Sequence, residues 1–144
     1  MKPAITTVCS HSSLQIFHGA RKEGLKTIGI CLKEPPKFYD AFPLAKPDEF
    51  FVIDDYQDLL KPEVSQKLKD KGAVIIPHGS FVEYMGAKNF QKLDVPVYGN
   101  KAVLDWESDR DIERSWLESA GILMPKEVKK PEDIDGPVIV KYHG

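Results

Sequence analysis

The sequence predicts an α/β fold, an open and mostly parallel sheet with flanking helices. Short apolar or β-branched runs alternate with segments of helical periodicity along most of the chain. The first strand–helix–strand unit spans roughly 30 residues, the length of a parallel crossover connection. With 144 residues, of which 42% are hydrophobic, the chain is long enough and apolar enough to bury a core.

The predicted strands are short runs bounded by turn residues. They are residues 4–8, 27–32, 50–53, 73–76 and 95–98. The first strand is followed by a helix that faces inward with Leu14, Phe17 and Ala20 and stops at Gly24. A second helix is predicted from Pro62 to Lys71. The proline-rich stretch 34–48 between the second and third strands predicts loops and turns.

The C-terminal part of the chain predicts the start of a further unit. Ser108 is expected to cap a helix that ends at Ala120 and Gly121. Apolar residues recur on one side of this helix and are its predicted buried face: Ile112, Trp116 and Leu117. Trp106, just before the helix, is also expected to pack in a core.

Residues 138–141 predict a final strand with no partner in the sequence. A domain that stops on such a strand usually continues, so we expect more chain beyond it. The expected organisation is therefore an N-terminal α/β domain over residues 1–105. It is followed by a linking helix and the first strand of a truncated domain over residues 106–144.

Composition excludes several classes of protein. The net charge of −2 argues against a nucleic-acid-binding protein. No apolar run reaches the length of a transmembrane helix, and the N-terminus has no apolar signal core, so we expect a cytoplasmic protein without membrane partners. Cys9 and Cys31 lie in or beside apolar strands and are expected to be buried, reduced thiols. Their spacing does not predict a zinc site.

Polar loops follow two of the predicted strands. After the first strand come Ser10, His11, Ser12 and Ser13, whose hydroxyls and free backbone N–H groups at a helix N-terminus suit a phosphate. After the fourth strand comes the segment 77–81, in which Ser80 adds a second such hydroxyl. Carboxyl ends of parallel strands share one edge of a sheet, which predicts that both loops border one phosphosugar or nucleotide site. As an alternative, each loop is only a helix cap or a turn.

Two sets of motifs resemble a known family. Segment 109–125 followed by residues 137–141 resembles the entry into an ATP-grasp fold, in which the lysine of an apolar strand contacts nucleotide phosphates. Lys141 matches that lysine. Segments 10–15, 77–81 and 106–111 together resemble the archaeal formate-dependent 5-formaminoimidazole-4-carboxamide ribonucleotide synthetases, the PurP family of the ATP-grasp superfamily. The resemblance covers nearly the whole chain.

The resemblance implies an ATP-dependent ligase of purine biosynthesis. Such an enzyme phosphorylates formate to formyl phosphate and transfers the formyl group to the amine of 5-aminoimidazole-4-carboxamide ribonucleotide. His11 and Ser80 match family positions that contact this substrate, with Ser12 and Ser13 as helpers. ATP and Mg²⁺, or Mn²⁺ in its place, would be bound mainly by residues beyond Gly144, and no metal ligand is expected within the chain. The family also tends to form homo-oligomers.

Three functional hypotheses follow. The first is the ribonucleotide-binding part of this ligase, which alone is expected to be inactive. The second is a non-catalytic paralogue or fragment that acts as a nucleotide- or phosphosugar-binding module. The third is a doubly wound domain whose strand-end serines only cap helices. The third hypothesis predicts no ligand affinity, unlike the other two. Formate-dependent chemistry distinguishes the ligase from the binding module.

Overall fold

The computed structural model describes residues 2–140 of the chain. These belong to two compact units, Met1–Leu104 and Asp105–Gly144. In the described residues, no helix combines the length and the apolar character needed to cross a membrane.

The first unit is built on a four-stranded sheet in which every strand pair is parallel. The strands are β1 (Ala4–Val8), β2 (Lys26–Leu32), β3 (Glu49–Ile53) and β4 (Ala73–Ile75). Their order across the sheet is β3-β2-β1-β4. In the register, Ala4 lies opposite Lys26 of β2 and opposite Ala73 of β4, so β1 is an interior strand. The predicted open parallel α/β fold is confirmed.

Helices connect and cover the strands. In the first unit they are α1 (Ser13–Lys22), α2 (Pro62–Asp70), α3 (Gly79–Met85) and α4 (Ala87–Gln91). Pro62 occupies the first turn of α2, where its missing N–H costs no hydrogen bond. Single 3₁₀ segments occur at Lys37–Ala41 and Pro43–Ala45 within the predicted loop, and another, Tyr56–Leu60, follows β3.

The strand predicted at residues 95–98 is wrong. Val97 forms one isolated parallel bridge with Ile75. Two backbone hydrogen bonds flank this bridge, from Ile75 N–H to the Pro96 carbonyl and from Tyr98 N–H to the Ile75 carbonyl, both 2.8 Å. Pro96 has no N–H to extend the ladder, so the pairing stops there.

Two hydrophobic clusters lie against the sheet. The larger includes Val8, Ile30 and Ile75 and extends over α2, α3 and α4. The smaller consists of Cys9, Phe17, Cys31 and Tyr39. Neighbouring residues of a strand point to opposite faces, so Ile30 and Cys31 place the two clusters on opposite sides of β2.

Both thiols are free and buried, as predicted. Burial raises the pKa of Cys9 to about 12 and also raises the pKa of Cys31. Both side chains are therefore protonated at neutral pH and pack as small apolar groups.

The second unit contains α6 (Arg110–Ser119), preceded by α5 (Val103–Ser108), and a 3₁₀ turn at Pro131–Asp133. Asp109, not Ser108, caps α6, because its carboxylate accepts the N–H groups of Asp111 and Ile112 at 3.0 and 3.1 Å. Ser108 ends α5, and its hydroxyl donates to the Asp105 carbonyl. The predicted cap is therefore wrong by one residue.

The predicted burial of the α6 face is also wrong for the described residues. Ile112 and Trp116 are 42% and 43% exposed, Trp106 is 46% exposed, and Leu117 is half-buried. The amphipathic pattern identifies the apolar side of the helix but not whether a partner covers it. Residues 138–140 form no strand, since nothing in the described chain pairs with them, and Lys141 lies outside the described residues.

Candidate functional site

The candidate site lies at the carboxyl edge of the sheet between β1 and β4. From β1 the chain runs to β2 and β3 on one side, whereas β4 pairs with β1 on the other side. This reversal of strand order makes a topological switch point, where open parallel sheets bind ligands. Thr6 of β1 lies opposite Ile75 of β4, so the loops that follow these strands start side by side.

The loop after β1 is fixed by its serines. The Ser13 hydroxyl donates to the Ser10 carbonyl at 2.6 Å and accepts the Ser10 N–H at 3.1 Å. It also shares a hydrogen bond with the hydroxyl of Tyr39. Ser13 is fully buried, so this hydroxyl shapes the loop from the inside.

Ser12 and His11 lie on the outer side of this loop. Ser12 is the N-terminal cap residue of α1, but its side chain makes no capping hydrogen bond. Its backbone N–H donates to the Ser10 hydroxyl at 3.2 Å. Ser12 is half-buried and His11 is exposed. The helix start therefore presents a hydroxyl and an imidazole at the switch point.

The loop after β4 is organised by His78. Its Nδ1 accepts the Ser80 N–H at 3.3 Å, which caps α3. Its Nε2 lies 3.2 Å from the Val8 carbonyl, at the end of β1. The ring is half-buried and meets Phe81 edge-on, with centroids 5.6 Å apart.

The electrostatics of this edge favour a neutral His78. Burial lowers its pKa below the ordinary value of 6.5, and the nearby His11 acts in the same direction, while the hydrogen bond to the Val8 carbonyl opposes both. His11, from the loop after β1, is thus one of the groups that favour the neutral form of His78.

The structure thus brings the predicted residues His11, Ser12, Ser13 and Ser80 to one edge of the sheet. Ser80 is half-buried in the first turn of α3. Sequence reasoning missed the role of His78. A histidine directly before Gly-Ser at a helix start was the available signal, since a cap residue can accept a backbone N–H.

Metal-ligating side chains do not cluster in the described part of the chain. Within residues 2–140, no three His, Cys, Asp or Glu side chains are placed to hold a metal ion.

An open parallel sheet with polar loops at a switch point is the arrangement in which doubly wound α/β domains bind ligands. Residues 5–128 match the family described as a protein of unknown function, DUF1246, and the chain belongs to this family.

Similar proteins carry a consistent set of names. The chain is 65% identical over 141 residues to a 5-formaminoimidazole-4-carboxamide-1-(beta)-D-ribofuranosyl 5'-monophosphate synthetase of Methanococcoides burtonii. That match covers 98% of this chain and 39% of the relative. A protein with the same name from Archaeoglobus fulgidus is 44% identical and is covered to 38%. The chain thus spans about two fifths of the length of these curated relatives, and the predicted resemblance is confirmed.

Two solved structures resemble this chain. The crystal structure of an IMP biosynthesis protein PurP from Thermococcus kodakaraensis has a TM-score of 0.70 and 34% identity, and covers 91% of this chain and 41% of that one. N5-carboxyaminoimidazole ribonucleotide synthetase from Thermotoga maritima has a TM-score of 0.63 at 18% identity, covering 92% of this chain and 35% of that one. The second likeness concerns the fold alone.

Proposed function

We propose that this chain forms the ribonucleotide-binding part of an ATP- and formate-dependent ligase of purine biosynthesis, acting in the cytoplasm. The proposed reaction formylates 5-aminoimidazole-4-carboxamide ribonucleotide. The observation that carries the proposal is the convergence of the His11 and Ser80 loops at the β1–β4 switch point. It occurs in a chain 65% identical to a protein named for the formylated product.

The chemistry has two steps. Formate oxygen attacks the γ-phosphorus of ATP, giving formyl phosphate and ADP. The amine nitrogen of the ribonucleotide then attacks the formyl carbon, the bond from that carbon to the phosphate oxygen breaks, and the amine loses a proton. Mg²⁺, or Mn²⁺, would neutralise the ATP phosphates in such a transfer. No described residue is assigned to that ion, and Lys141 is proposed as a phosphate contact by resemblance only.

The described residues suit the binding of the ribonucleotide phosphate. Ser12 offers a hydroxyl, the first turn of α1 offers backbone N–H groups, and His11 offers a ring N–H, all at one helix start. Ser80 adds a hydroxyl from the neighbouring loop. Ser13 acts indirectly, because its hydroxyl is engaged with Ser10 and Tyr39.

A chimera tests the proposal. In it, this chain replaces the matching N-terminal segment of the Methanococcoides burtonii relative, and formylation is measured with the ribonucleotide, formate and ATP. We expect formate-dependent release of ADP and formylated product. A folded chimera that binds ATP and yet gives no formylation would contradict the proposal.

Point variants in the chimera test the site. His11→Ala and Ser80→Ala should each raise the KM for the ribonucleotide roughly tenfold, the effect of one lost hydrogen bond to a charged ligand. The KM for ATP should stay unchanged. His18→Ala is the matched control, because His18 lies within α1, away from the loop. An unchanged ribonucleotide KM in both variants would remove these residues from the site.

A binding module is the second candidate. It is favoured by the fact that the first unit alone contains the sheet, both hydrophobic clusters and both loops. Calorimetric titration of the 144-residue chain with the ribonucleotide, then with ATP, examines this candidate. Ribonucleotide binding together with an inactive chimera would favour the module over the ligase.

A further inference from the structure

We propose that His78 is a positioning residue, whose imidazole ties the loop after β1 to the start of α3 and so holds His11 and Ser80 against one ligand. The inference rests on the proposed ribonucleotide site and adds a residue to it. His78 itself need not touch the ligand.

Both ring nitrogens of His78 are used within the protein. Nδ1 accepts the backbone N–H of Ser80 at 3.3 Å, so it carries no proton. The proton of the neutral ring is therefore on Nε2, which donates to the Val8 carbonyl at 3.2 Å. One imidazole thus bridges two chain segments that are 70 residues apart in sequence.

The two bonds end where the ligand-facing residues begin. Val8 is the last residue of β1, three positions before His11. Ser80 provides both the N–H that binds Nδ1 and the hydroxyl predicted to face the ligand. A change in the bridge therefore alters the spacing between the His11 side and the Ser80 side of the site.

Further hydrogen bonds between these segments lie deeper in the sheet. The Thr7 hydroxyl donates to the Ile76 carbonyl at 2.8 Å, and the Ile76 N–H donates to the Thr6 carbonyl at 2.9 Å. These bonds join the strand ends before either loop departs. We expect these bonds to preserve the fold when His78 is replaced, so that an effect on ligand binding can be separated from unfolding.

Burial favours the neutral form of the ring, although the hydrogen bond to the Val8 carbonyl favours the charged form. Val8, Ser80 and Phe81, which contact it, carry no charge. The titratable group that acts on it from the opposite loop is His11. A protonated His78 would have no lone pair for the Ser80 N–H, so the capped state of α3 requires the neutral tautomer.

Two variants separate the two bonds. Asparagine at position 78 can still accept the Ser80 N–H through its side-chain oxygen, as a cap residue, but it is too short to reach Val8. Glutamine can place its amide N–H₂ near the position of Nε2, and so keeps the donor to Val8 while it weakens the cap. His18→Asn is the matched control on α1.

In the active chimera, His78→Asn should raise the KM for the ribonucleotide about fivefold to tenfold. The kcat and the KM for ATP should stay close to those of the parent. The melting temperature should fall only slightly, because Asn keeps the bond to the Ser80 N–H and loses only the bond to the Val8 carbonyl. His78→Gln should recover part of the lost affinity although it melts at a lower temperature. A folded His78→Asn chimera with an unchanged ribonucleotide KM would overturn the inference. A KM that rises only in step with falling melting temperature in both variants would also overturn it.

A measurement on the unaltered 144-residue chain needs no variant. Nitrogen-15 NMR of its histidines should show His78 protonated at Nε2 and unprotonated at Nδ1, and these signals should shift when the ribonucleotide is added. A signal for the opposite tautomer would overturn the bridge. A parent chimera that folds and binds ATP but gives no formylation would refute the proposed function. An active parent chimera whose His78→Asn variant keeps the same KM for the ribonucleotide would refute only the role of His78.

Discussion

Gly29 in the middle of β2 is required by packing, so Gly29→Ala should destabilise the protein. A Cβ at this position would lie 2.8 Å from Cys9 Sγ and 2.8 Å from Pro47 Cγ, with Phe17 Cζ at 3.4 Å. Carbon atoms in good contact are roughly 3.5–4.0 Å apart, so two neighbours would have to move. Both are held, since Cys9 is buried directly after β1 and Pro47 is buried and has a rigid ring.

The expected decrease in the free energy of unfolding follows from two opposing effects. Glycine in a strand interior is less favourable than alanine by roughly 0.5–1 kcal/mol, because it loses more chain entropy on folding. Overpacking a core costs about 1–3 kcal/mol. Two simultaneous overlaps place Gly29→Ala near the upper end of that range, so we expect a net loss of about 2 kcal/mol.

Gly19→Ala is the matched control. Gly19 lies in α1, and a Cβ there would have no heavy atom within 4 Å. The same substitution should therefore raise the free energy of unfolding by up to about 1 kcal/mol through helix propensity alone. The two variants are expected to move in opposite directions.

Urea unfolding followed by far-UV circular dichroism and by thiol exposure measures the effect. Both tryptophans, Trp106 and Trp116, belong to the second unit, so tryptophan fluorescence would not report on the sheet. A Gly29→Ala chain as stable as the parent, with an unchanged urea slope, would refute the packing argument.

Four further predictions concern pH, capping and thiols. Since the pKa of His78 is lowered in the folded state, its contribution to stability should be complete above about pH 6.5 and fall as the pH drops towards the folded-state pKa. Urea midpoints measured between pH 5 and 8 should show this slope, and the His78→Asn chain should lack it. The hydrogen bond from Lys71, at 2.6 Å, lowers the pKa of Glu49, so its contribution should be present above about pH 4.5 and be lost as the pH falls further. Glu49→Gln should cost about 1 kcal/mol or less in urea unfolding at pH 7, because the pair is partly exposed. Asp109→Ala should destabilise α6 by about 1 kcal/mol, and equal amide exchange of residues 110–119 in variant and parent would contradict the assigned cap. The Cys9 thiol, with its pKa raised to about 12 by burial, should react with a disulfide reagent at pH 8 only after urea is added.

The sheet could be predicted because its signal is local. The run at Ala4–Val8 is short, apolar or β-branched and bounded by turn residues, and the structure forms β1 over the same five residues. The prediction at 95–98 failed although its composition is similar. There Pro96 has no N–H to donate to the ladder, so only one isolated bridge forms. The apolar and β-branched content of the run does not account for this missing donor.

The edge of the site could also be predicted, but not its internal bonds. Parallel strands guarantee that the loops after β1 and β4 emerge together. The contacts that fix them join residues far apart in sequence, such as His78 with Val8 and Ser13 with Tyr39. No local pattern indicates which hydroxyl will turn inward, so Ser12 and Ser13 look equivalent in sequence.

The second unit shows that helical periodicity does not predict burial. The periodicity of α6 correctly identifies an apolar face, yet Ile112 and Trp116 remain over two fifths exposed in the described chain. Periodicity indicates which side of a helix is apolar, whereas burial also requires a partner surface, and a sequence pattern does not identify that surface.

The polar residues of the site divide into two groups with different expected consequences. Ser13 and His78 have their hydrogen bonds satisfied within the protein, by Ser10, Tyr39, Val8 and Ser80. His11 and Ser12 face outward, and the structure records no hydrogen bond from either side chain within residues 2–140.

Removing an internally satisfied group leaves a buried donor or acceptor without a partner, which lowers the free energy of unfolding. Removing an outward-facing group changes the free energy of unfolding little, but it lowers the affinity for a ligand that this group contacts. Ser13→Ala should therefore destabilise the chain more than Ser12→Ala, while His11→Ala should weaken ribonucleotide binding more than either. His78 is one of the internally bonded residues. It also influences the outward-facing residues, because the two segments that it joins carry His11 and Ser80. The fold at the switch point thus sets the spacing of the binding groups through side chains that need not contact the ligand.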